Sequence, residues 1–324
     1  MIDRYSLGDI SVVIPTYNRA KDLSVTLKNL LPFVKSLSEI IVVDQSNNDE
    51  TKKVVDYLWK KYKNILYVYS KIPSITIARN LGVRKLSRKC KLVCFIDDDV
   101  SVSEEYFDEI LKVFNENPSA RAASGYVPSP ELLRMSLLEK MLRRLFYISY
   151  PEKDHARMIS TYGNTYPSHL TKTICVEWLP GVNMVYKRGV FKEQQFDEHL
   201  LGYTVAEDID FSYRLYKKYP LSLFITPFAT LMHRVSRVER TPTPRMSYIN
   251  QVDHFYFYLK NMRSSFQQRI IFVWSLLGIT LLRALKTIIT RKHDDFLKLR
   301  YFFISLRYCL KNRDIIQTGR VREF

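Results

Sequence analysis

The chain has 324 residues, 46% of them hydrophobic, and carries a formal net charge of +17. This length is sufficient for one large α/β domain or for a core domain with an appendage. The four cysteines indicate neither a disulfide framework nor a paired zinc site, and the first nine residues lack the apolar core of a signal peptide. We therefore exclude a small disulfide-stabilised scaffold and expect a cytoplasmic protein.

Apolar runs alternate with helical patterns along residues 1–125. The runs predict buried strands, and the residues between them have the apolar spacing of amphipathic helices. The predicted strands are 10–14, 40–43, 65–69 and 92–96, and the predicted helices are 20–36, one through 54–59, 75–86 and one through 107–114. This alternation predicts a parallel sheet with right-handed crossovers, as in a nucleotide-binding half.

Residues 126–238 follow a less regular pattern. An amphipathic helix is predicted over 131–150, and a polar segment follows at 154–172. Apolar β character returns at 176–186 and at 221–225, on either side of a predicted helix over 206–218. We expect these residues to form an acceptor half that completes one domain over residues 1–238.

Residues 239–324 are rich in aromatic, leucine and basic residues. From Arg234 to the end there are 18 Lys or Arg and 6 Asp or Glu, so this region carries +12 of the net charge. Such an excess predicts an anionic partner, either membrane phospholipid, a phosphorylated acceptor or nucleic acid. The basic residues are interleaved with Leu, Ile and Phe, which disfavours nucleic acid.

The longest uncharged run in this region is residues 270–282. As a helix its 13 residues extend about 20 Å, short of the roughly 30 Å hydrocarbon core of a bilayer. An extension to Ile289 adds Arg283 and Lys286, whose long side chains can snorkel to the interface. We expect amphipathic helices that lie on an anionic cytoplasmic leaflet, with a true span, an oligomer interface or core packing as the alternatives. The predicted location is peripheral to the inner face of the cell membrane.

Three consecutive carboxylates, Asp97, Asp98 and Asp99, follow the apolar run 92–96. In open α/β sheets, ligands bind beyond the carboxyl ends of the strands. Carboxylates crowded together raise one another's pKa, so a cation is expected to share the site, and oxygen ligands suit Mg²⁺ or Mn²⁺. A solvated turn before the next helix is the alternative.

Six short motifs occur in a fixed order along the chain. They are VIPTYNR at 13–19, VVDQS at 42–46, ARN at 78–80, FIDDD at 95–99, GVNM at 181–184 and AEDIDF at 206–211. The series resembles the family-2 inverting glycosyltransferases, and the resemblance covers about residues 8–235. It implies a GT-A fold, with a mixed, mainly parallel sheet between helices, here followed by a basic amphipathic helical appendage.

Several residues are candidates for binding a nucleotide-sugar donor. The turn from Pro15 to Arg19 opens a helix whose N-terminal amides can face phosphate or ribose, Tyr17 can stack on a base, and Arg19 can contact a phosphate oxygen. The resemblance implies that Asp44 contacts the nucleobase, with a turn or helix cap as the alternative. It also places Arg79 near the nucleotide, although a structural salt bridge is an equal alternative.

The resemblance implies that the carboxylates of the triplet have different roles. In the DXD pattern of similar enzymes the first contacts ribose and the last binds the metal, which corresponds to Asp97 and Asp99, while Asp98 can serve either role. Some relatives place a metal-binding or diphosphate-facing histidine where His233 lies, although lone histidines are usually structural. The expected cofactor is Mg²⁺ or Mn²⁺, with Asp99, Asp97 and His233 as ligands.

Glu207 and Asp208 resemble the ED motif of the family. Inversion by single displacement needs a base that takes the acceptor hydroxyl proton, and we assign Asp208 to it, with Glu207 as the alternative. Acidic residues also favour a helix N-terminus, which is the structural alternative. Gly181 and Asn183 resemble a loop near the diphosphate, and Trp178 is either a platform for the acceptor sugar or a core residue.

The predicted function is metal-dependent, inverting transfer of a hexose or deoxyhexose from a nucleoside diphosphate sugar to a hydroxyl of a glycan or lipid-linked acceptor. A UDP-sugar is the first expectation, and GDP- or dTDP-sugars are alternatives. Arg234 and Arg237 either hold phosphate or begin the basic region. The rival interpretations are a sugar nucleotidyltransferase, disfavoured because the turn at 15–19 has no glycine, and a basic nucleic-acid-binding protein.

Overall fold

The computed structural model describes residues 4–129, 134–160, 163–236, 238, 242–263 and 265–319, without the side chains of residues 243 and 244. These residues group into two compact units. The first comprises Met1–Val127, Leu170–Glu198 and Glu207–Arg240, and the second comprises Pro128–His169, His199–Ala206 and Thr241–Phe324. The units interleave along the chain. The sequence predicts a domain over 1–238, with two halves that meet near residue 125, and a second region over 239–324. These bounds stay predictions.

The strands are numbered in chain order. They are β1 Ile10–Thr16, β2 Glu39–Asp44, β3 Ile65–Tyr69, β4 Leu92–Ile96, β5 Val100–Val102, β6 Ala122–Gly125, β7 Tyr150–Pro151, β8 Thr165–Tyr166, β9 Ile174–Val176, β10 Asn183–Lys187, β11 Leu223–Thr226 and β12 Leu231–His233.

The helices are numbered in the same way. They are α1 Ala20–Leu30, α2 Glu50–Trp59, α3 Ile75–Arg84, α4 Tyr106–Glu116, α5 Leu137–Leu145, α6 Glu207–Lys218, α7 Thr243–Phe257, α8 Phe266–Thr290, α9 His293–Lys311 and α10 Arg313–Gln317. Short 3₁₀ turns lie at Leu7–Asp9 and Arg188–Lys192, and a π-helical turn lies at Tyr258–Met262.

The first unit contains an eight-stranded sheet in the order β3-β2-β1-β4-β10-β6-β11-β9. Strands β3, β2, β1 and β4 are parallel to one another, as the sequence predicts, and β11 is parallel to β6. Strand β10 enters antiparallel between β4 and β6, and β9 is antiparallel to β11 at the edge. The sheet is therefore mixed and mainly parallel.

The central strands are apolar because both faces of the sheet are covered. Every residue of β1, β2 and β4 is buried, and these strands consist largely of Val and Ile, which suit a doubly covered sheet. Helices α1 and α4 contribute apolar residues such as Leu23, Leu27 and Phe107 to the same core. The carboxyl ends of β1, β2 and β4 consequently meet at one edge of the sheet.

A two-stranded antiparallel ribbon lies next to this edge. It pairs β5 with β12, so that His233 is the partner of Val100, directly after the aspartate triplet. The backbone amide of Arg234 continues the contact by donating to the carbonyl oxygen of Asp99 at 2.9 Å. The ribbon brings a residue from position 233 beside residues 97–99, a pairing of distant segments.

The second unit is mainly helical, and α9 packs against both α7 and α8. The helix predicted over 131–150 is observed only as α5, with residues 130–133 outside the described part of the chain. Helix α8 has 25 residues and continues through Arg283 and Lys286, so it is longer than the uncharged run 270–282 suggested. At 1.5 Å per residue it extends about 37 Å.

Candidate active site

The aspartate triplet lies immediately beyond the carboxyl end of β4, between β1 and β10 in the sheet. Its three side chains have different surroundings. Asp97 is partly exposed, whereas Asp98 and Asp99 are buried. The turn after β4 therefore separates the carboxylates instead of presenting them as one solvated row.

Asp98 points into the protein. Its Oδ2 accepts a hydrogen bond of 2.7 Å from Thr16 Oγ1, and its Oδ1 pairs with Arg19 Nη1 at 3.4 Å. Burial raises the pKa of Asp98 to about 6, although Arg19 and Thr16 oppose this shift. Arg19 also donates from Nε to the carbonyl oxygen of Val238. The predicted donor contacts of Arg19 and Asp98 stay predictions, since both side chains have partners within the protein.

Asp97, Asp99 and His233 form a cluster that can hold a metal ion. Each offers one ligand atom, and these atoms all lie within 4.8 Å of one another. Asp99 Oδ1 lies 3.1 Å from His233 Nε2, and Asp99 Oδ2 accepts from the amide of Ser236 at 2.7 Å. These are the three residues that the sequence analysis assigned to the metal.

The protonation of the cluster follows from its contacts. Burial opposes ionisation of Asp99, yet the hydrogen bonds from His233 and the Ser236 amide lower its pKa to about 2. Burial raises the pKa of Asp97 to about 7, opposed by Arg79 and reinforced by the charge of Asp99. Two carboxylates and an imidazole fit a divalent cation, because oxygen ligands suit Mg²⁺ and Mn²⁺ and imidazole suits transition metals.

Asp44 ends β2 and is fully buried. Its Oδ2 accepts from the Tyr67 hydroxyl at 2.9 Å and its Oδ1 from the amide of Ser46 at 2.9 Å. The Ser46 contact is the turn interaction that the sequence left open, and the nucleobase contact stays a prediction. Pro15 is buried near the end of β1, and Tyr17 is half-buried in the turn that follows.

Arg79 on α3 connects two groups of carboxylates and is only 1% exposed. Its Nη2 lies 3.7 Å from Asp97 Oδ1 and donates to the carbonyl oxygen of Gly181 at 3.1 Å, while its Nη1 lies 3.2 Å from Glu207 Oε1. Both alternatives left open for Arg79 remain compatible with this position. It forms a buried ion pair, and it also adjoins the cluster.

Glu207 and Asp208 begin α6 and differ in accessibility. Glu207 is buried, and burial together with the charge of Asp208 raises its pKa to about 8. Asp208 is half-buried, and its oxygens accept from the amides of Gly181 at 2.6 Å and Ile209 at 2.7 Å. Burial raises the pKa of Asp208 as well, opposed by Arg79 and these amides. Asp208 is therefore the more accessible carboxylate of the pair.

The loop before β10 needs a glycine where it meets Asp208. A Cβ on Gly181 would lie 3.0 Å from Asp208 Oδ2 and 3.3 Å from its Cβ and Cγ, closer than ordinary contacts. Arg79 Nε and Glu207 Oε2 are buried and have no hydrogen-bond partner among the residues that the structure describes. Buried polar atoms of this kind call for a bound ligand or water, which suits a substrate site.

Three other predicted residues are buried or half-buried. Asn183 is fully buried, and its Oδ1 accepts from the Tyr106 hydroxyl at 2.9 Å and from the amide of Gly125 at 2.6 Å. Trp178 is 8% exposed, as a core residue would be. Arg234 donates to Thr26 Oγ1 at 2.7 Å and to Ser101 Oγ. The substrate roles of Asn183 and Trp178 stay predictions, and Arg237 lies outside the described residues.

Four supporting residues were not identified from the sequence: Thr16, Ser46, Tyr67 and Ser236 hold the aspartates by the hydrogen bonds given above. Thr16 and Ser46 had local signals, because Thr16 ends β1 at the edge where ligands bind and Ser46 lies two residues after Asp44, the spacing of an Asp side-chain turn. Tyr67 contacts Asp44 because β2 and β3 pair in parallel, and Ser236 contacts Asp99 because it follows β12. Both depend on strand pairing.

The chain resembles known proteins in sequence over part of its length. The family model described as glycosyl transferase family 2 matches residues 11–174, about half the chain. Glycosyltransferase GlyA of Streptococcus pneumoniae serotype 4 is 24% identical over 193 residues, which cover 60% of this chain and 26% of that protein. Chondroitin synthase of Escherichia coli is 26% identical over 233 residues, covering 65% of this chain and 33% of that protein. The chain thus spans about a quarter to a third of the length of these relatives.

Solved structures of similar fold are glycosyltransferases. GalNAc-T7, crystallised with UDP, GalNAc and Mn²⁺, has a TM-score of 0.56 at 15% identity, covering 79% of this chain and 51% of that chain. The mannosyltransferase PcManGT of Pyrobaculum calidifontis, in complex with GDP-Man and Mn²⁺, has a TM-score of 0.52 at 14% identity, covering 96% and 79%. The predicted GT-A fold is confirmed. The match over half the sequence, together with this fold, shows that the chain belongs to glycosyl transferase family 2.

Proposed function

We propose that this chain transfers a sugar from a nucleoside diphosphate sugar to a hydroxyl of a glycan or lipid-linked acceptor, with inversion at the anomeric carbon. The observation that carries the proposal is the cluster of Asp97, Asp99 and His233, whose ligand atoms lie within 4.8 Å of one another beyond β4. Family membership and the Mn²⁺ complexes of similar folds support the same chemistry.

Asp97, Asp99 and His233 would hold the cation. A bound divalent ion neutralises the negative charge that develops on a departing diphosphate. An imidazole beside two carboxylates favours Mn²⁺ over Mg²⁺, because Mg²⁺ prefers oxygen ligands only. Asp97 belongs to the cluster and also lies beside Arg79, so we expect it to contact the donor as well as the ion.

Arg79 and Asp208 provide the other half of the reaction in this proposal. Arg79 is a buried permanent cation that a diphosphate oxygen can approach from the side of Asp97. Asp208 accepts the proton of the acceptor hydroxyl as general base, since it is more accessible than Glu207 and two backbone amides keep its carboxylate oriented. Glu207 is mostly protonated at neutral pH because its pKa is raised, and its Oε1 lies 3.2 Å from Arg79 Nη1.

A donor panel tests the proposal. The full chain is incubated with UDP-, GDP- and dTDP-sugars in Mn²⁺, Mg²⁺ or EDTA, and the release of nucleoside diphosphate is measured. We expect one base class to be used, UDP first, and EDTA to abolish the release. The proposal fails if release is equal in EDTA and Mn²⁺, or if no donor binds in the presence of Mn²⁺ by calorimetry. A parallel reaction with a sugar 1-phosphate and a nucleoside triphosphate, read as pyrophosphate release, detects a nucleotidyltransferase.

The stereochemistry and the location are separate parts of the proposal. The anomeric configuration of the product, read by proton NMR, distinguishes inversion from retention. We propose a location at the inner face of the cell membrane, supported by the +12 charge from Arg234 onward.

A further inference from the structure

Helix α8 has a continuous apolar stripe on its exposed side. Nine large side chains, between 39% and 78% exposed, recur at helical spacing along its 25 residues. They are Phe266, Ile270, Val273, Trp274, Leu277, Leu281, Leu285, Ile288 and Ile289. Such a stripe runs the full length of the helix, about 37 Å at 1.5 Å per residue. Isolated exposed apolar residues are ordinary, whereas a contiguous row of this length marks an interaction surface.

Helix α5 adds a second apolar face in the same unit. None of its residues is buried, and Leu137, Leu138, Met141 and Leu145 are 57% to 76% exposed. Lys140 and Arg143 occupy the opposite side of the helix by their spacing. A short helix that buries nothing in its own protein, but separates apolar from basic residues, is typical of a surface-binding helix.

Contacts in the middle of α8 fix the end of α5 beside the stripe. Trp274 Nε1 donates to the carbonyl oxygen of Leu145 at 2.8 Å, and the rings of Trp274 and Phe146 lie 4.9 Å apart. Phe146 packs so closely on Gly278 that a Cβ there would lie 2.2 Å from its Cβ and Cγ. The exposed side chains of α5 and α8 therefore form one surface, here called the two-helix face.

Charge identifies the partner of the two-helix face. No Asp or Glu occurs between Asp253 and Asp294, and this segment contains seven Lys or Arg. Three of the seven are on α8 itself. Arg269 and Lys286 are exposed, with Lys286 3.8 Å from Asp295, whereas Arg283 packs on Phe302. An apolar stripe with basic flanks fits the acyl and anionic headgroup layers of a phospholipid leaflet, and Trp274 has the amphipathic ring that prefers this boundary.

The packing of α8 favours an orientation in the plane of the membrane. By length and composition the helix could cross a bilayer, with a mean hydropathy of 1.6 over its most apolar window. Near its midpoint, however, Ser275 contacts the carbonyl oxygen of Tyr147 at 3.4 Å and Ser160 Oγ at 3.3 Å. A crossing helix would carry this irregular backbone to hydrocarbon depth, where lipid-exposed loops do not occur.

The side of α8 away from the stripe contacts protein, and Phe272, Ser275 and Gly278 are buried there. Phe272 stacks on Tyr258 at 3.9 Å, and Arg283 lies over the ring of Phe302 at 4.7 Å. A helix covered on one long side and bare on the other matches partial burial in a single leaflet. We propose that the two-helix face inserts in the plane of an anionic leaflet and does not span the bilayer. This inference does not rest on the proposed transfer reaction.

Vesicle flotation of the full chain tests the proposal. We expect binding to vesicles of phosphatidylcholine with phosphatidylglycerol, weaker binding to phosphatidylcholine alone, and release of the bound protein by alkaline carbonate. Leu277→Glu should reduce flotation about 10-fold or more, since it loses an inserted leucine and adds a charge. Tyr57→Glu is the matched control, because Tyr57 is 74% exposed on α2 and is not one of the residues of the two-helix face, so this variant should bind as the wild type does.

Three outcomes would overturn the proposal. Retention of the protein in vesicles through carbonate washing would indicate a span. Equal losses in Leu277→Glu and Tyr57→Glu would show that the face is not specific. A dimer in solution that Leu277→Glu separates, without vesicle binding by the wild type, would assign the face to a second copy. Metal-dependent release of nucleoside diphosphate, measured in both variants without vesicles, keeps this result separate from failure of the proposed chemistry.

Discussion

Two acidic groups in the first unit use the same carboxyl chemistry with opposite results. Asp99 beyond β4 is hydrogen-bonded by His233 and the Ser236 amide, and these contacts lower its pKa to about 2 in spite of burial. Glu207 at the start of α6 is buried next to Asp208, and its pKa rises to about 8. Surroundings, and not residue type, therefore decide that one group is ready for a cation while the other holds a proton.

Arg79 connects the two groups and sharpens the contrast. It lies 3.7 Å from Asp97 and 3.2 Å from Glu207, while fully shielded from water. One buried guanidinium cannot neutralise four nearby carboxylates. The remaining negative charge is met by protonation on the side of Glu207 and, in the proposed function, by a divalent ion on the side of Asp97.

The largest expected effect separates the roles of the two groups. Asp208→Asn should reduce sugar transfer by about 10² to 10⁴-fold, the usual contribution of a general base. Binding of Mn²⁺ and nucleoside diphosphate should be unchanged, because Asp208 has no contact with Asp97, Asp99 or His233 among the described side chains. Transfer rates and calorimetric titrations measure the two effects. Normal transfer by Asp208→Asn would contradict the assignment of the base.

A smaller effect is expected at Asp44, on the donor side. If this carboxylate contacts the base, Asp44→Asn should raise the donor KM about 10-fold with little change in kcat, since a hydrogen bond to a charged group contributes about 1.5–3 kcal/mol. Steady-state kinetics at varied donor concentration measure the change. Tyr67→Phe is the control, because it removes a hydrogen bond from the same carboxylate and leaves its charge. Equal changes in both variants would favour the turn role of Asp44.

The smallest effect at neutral pH is expected at Glu207. With a pKa of about 8, Glu207 is mostly protonated at pH 7, and Gln has the shape of the protonated form. Glu207→Gln should therefore lose less than about 10-fold in transfer at pH 7, well below the loss expected for a general base. A rate profile from pH 6 to about pH 9.5 measures this, with Asp208→Asn in parallel. A loss at pH 7 as large as that of Asp208→Asn would make Glu207 the base.

Glu207→Gln should also change how the stability of the folded protein depends on pH. The folded-state pKa of Glu207 is about 8 and the ordinary value is 4.5, so the folded protein holds this proton more tightly than the unfolded chain. The stability linked to this proton is present at low pH and is lost as the pH rises from about 4.5 through 8. The Tm of Glu207→Gln minus the Tm of the wild type should therefore be more positive at pH 9 than at pH 6.

The regular half of the fold was predictable because its signals are local. Strands β1, β2 and β4 are buried, mostly apolar runs that lead into polar residues, and β3 is a partly exposed apolar run. Their parallel pairing follows from the alternation with helices. The insertion of β10 between β4 and β6 was not predicted. Strand β10 pairs antiparallel with segments that lie about 60 and about 90 residues earlier in the chain, and no local pattern encodes such partners.

The candidate site shows the same division. The triplet and the pair Glu207–Asp208 were identified from their motifs, whereas the inward turn of Asp98 toward Thr16 depends on three-dimensional packing. The length of helix α8 was left open by the sequence for a different reason, because Arg283 and Lys286 interrupt the apolar pattern after residue 282. In the structure Arg283 lies over the ring of Phe302, within a helix that ends at Thr290.

The account depends most directly on a divalent ion bound by Asp97, Asp99 and His233. Titration of Mn²⁺ into the full chain with nucleoside diphosphate present, followed by electron paramagnetic resonance, measures this binding in the wild type and in Asp99→Asn. We expect one bound ion per chain in the wild type and an affinity at least about 100-fold lower in the variant, since Asp99 would be a direct ligand in the proposed site. Equal Mn²⁺ binding by the two proteins, or none by the wild type, would contradict it.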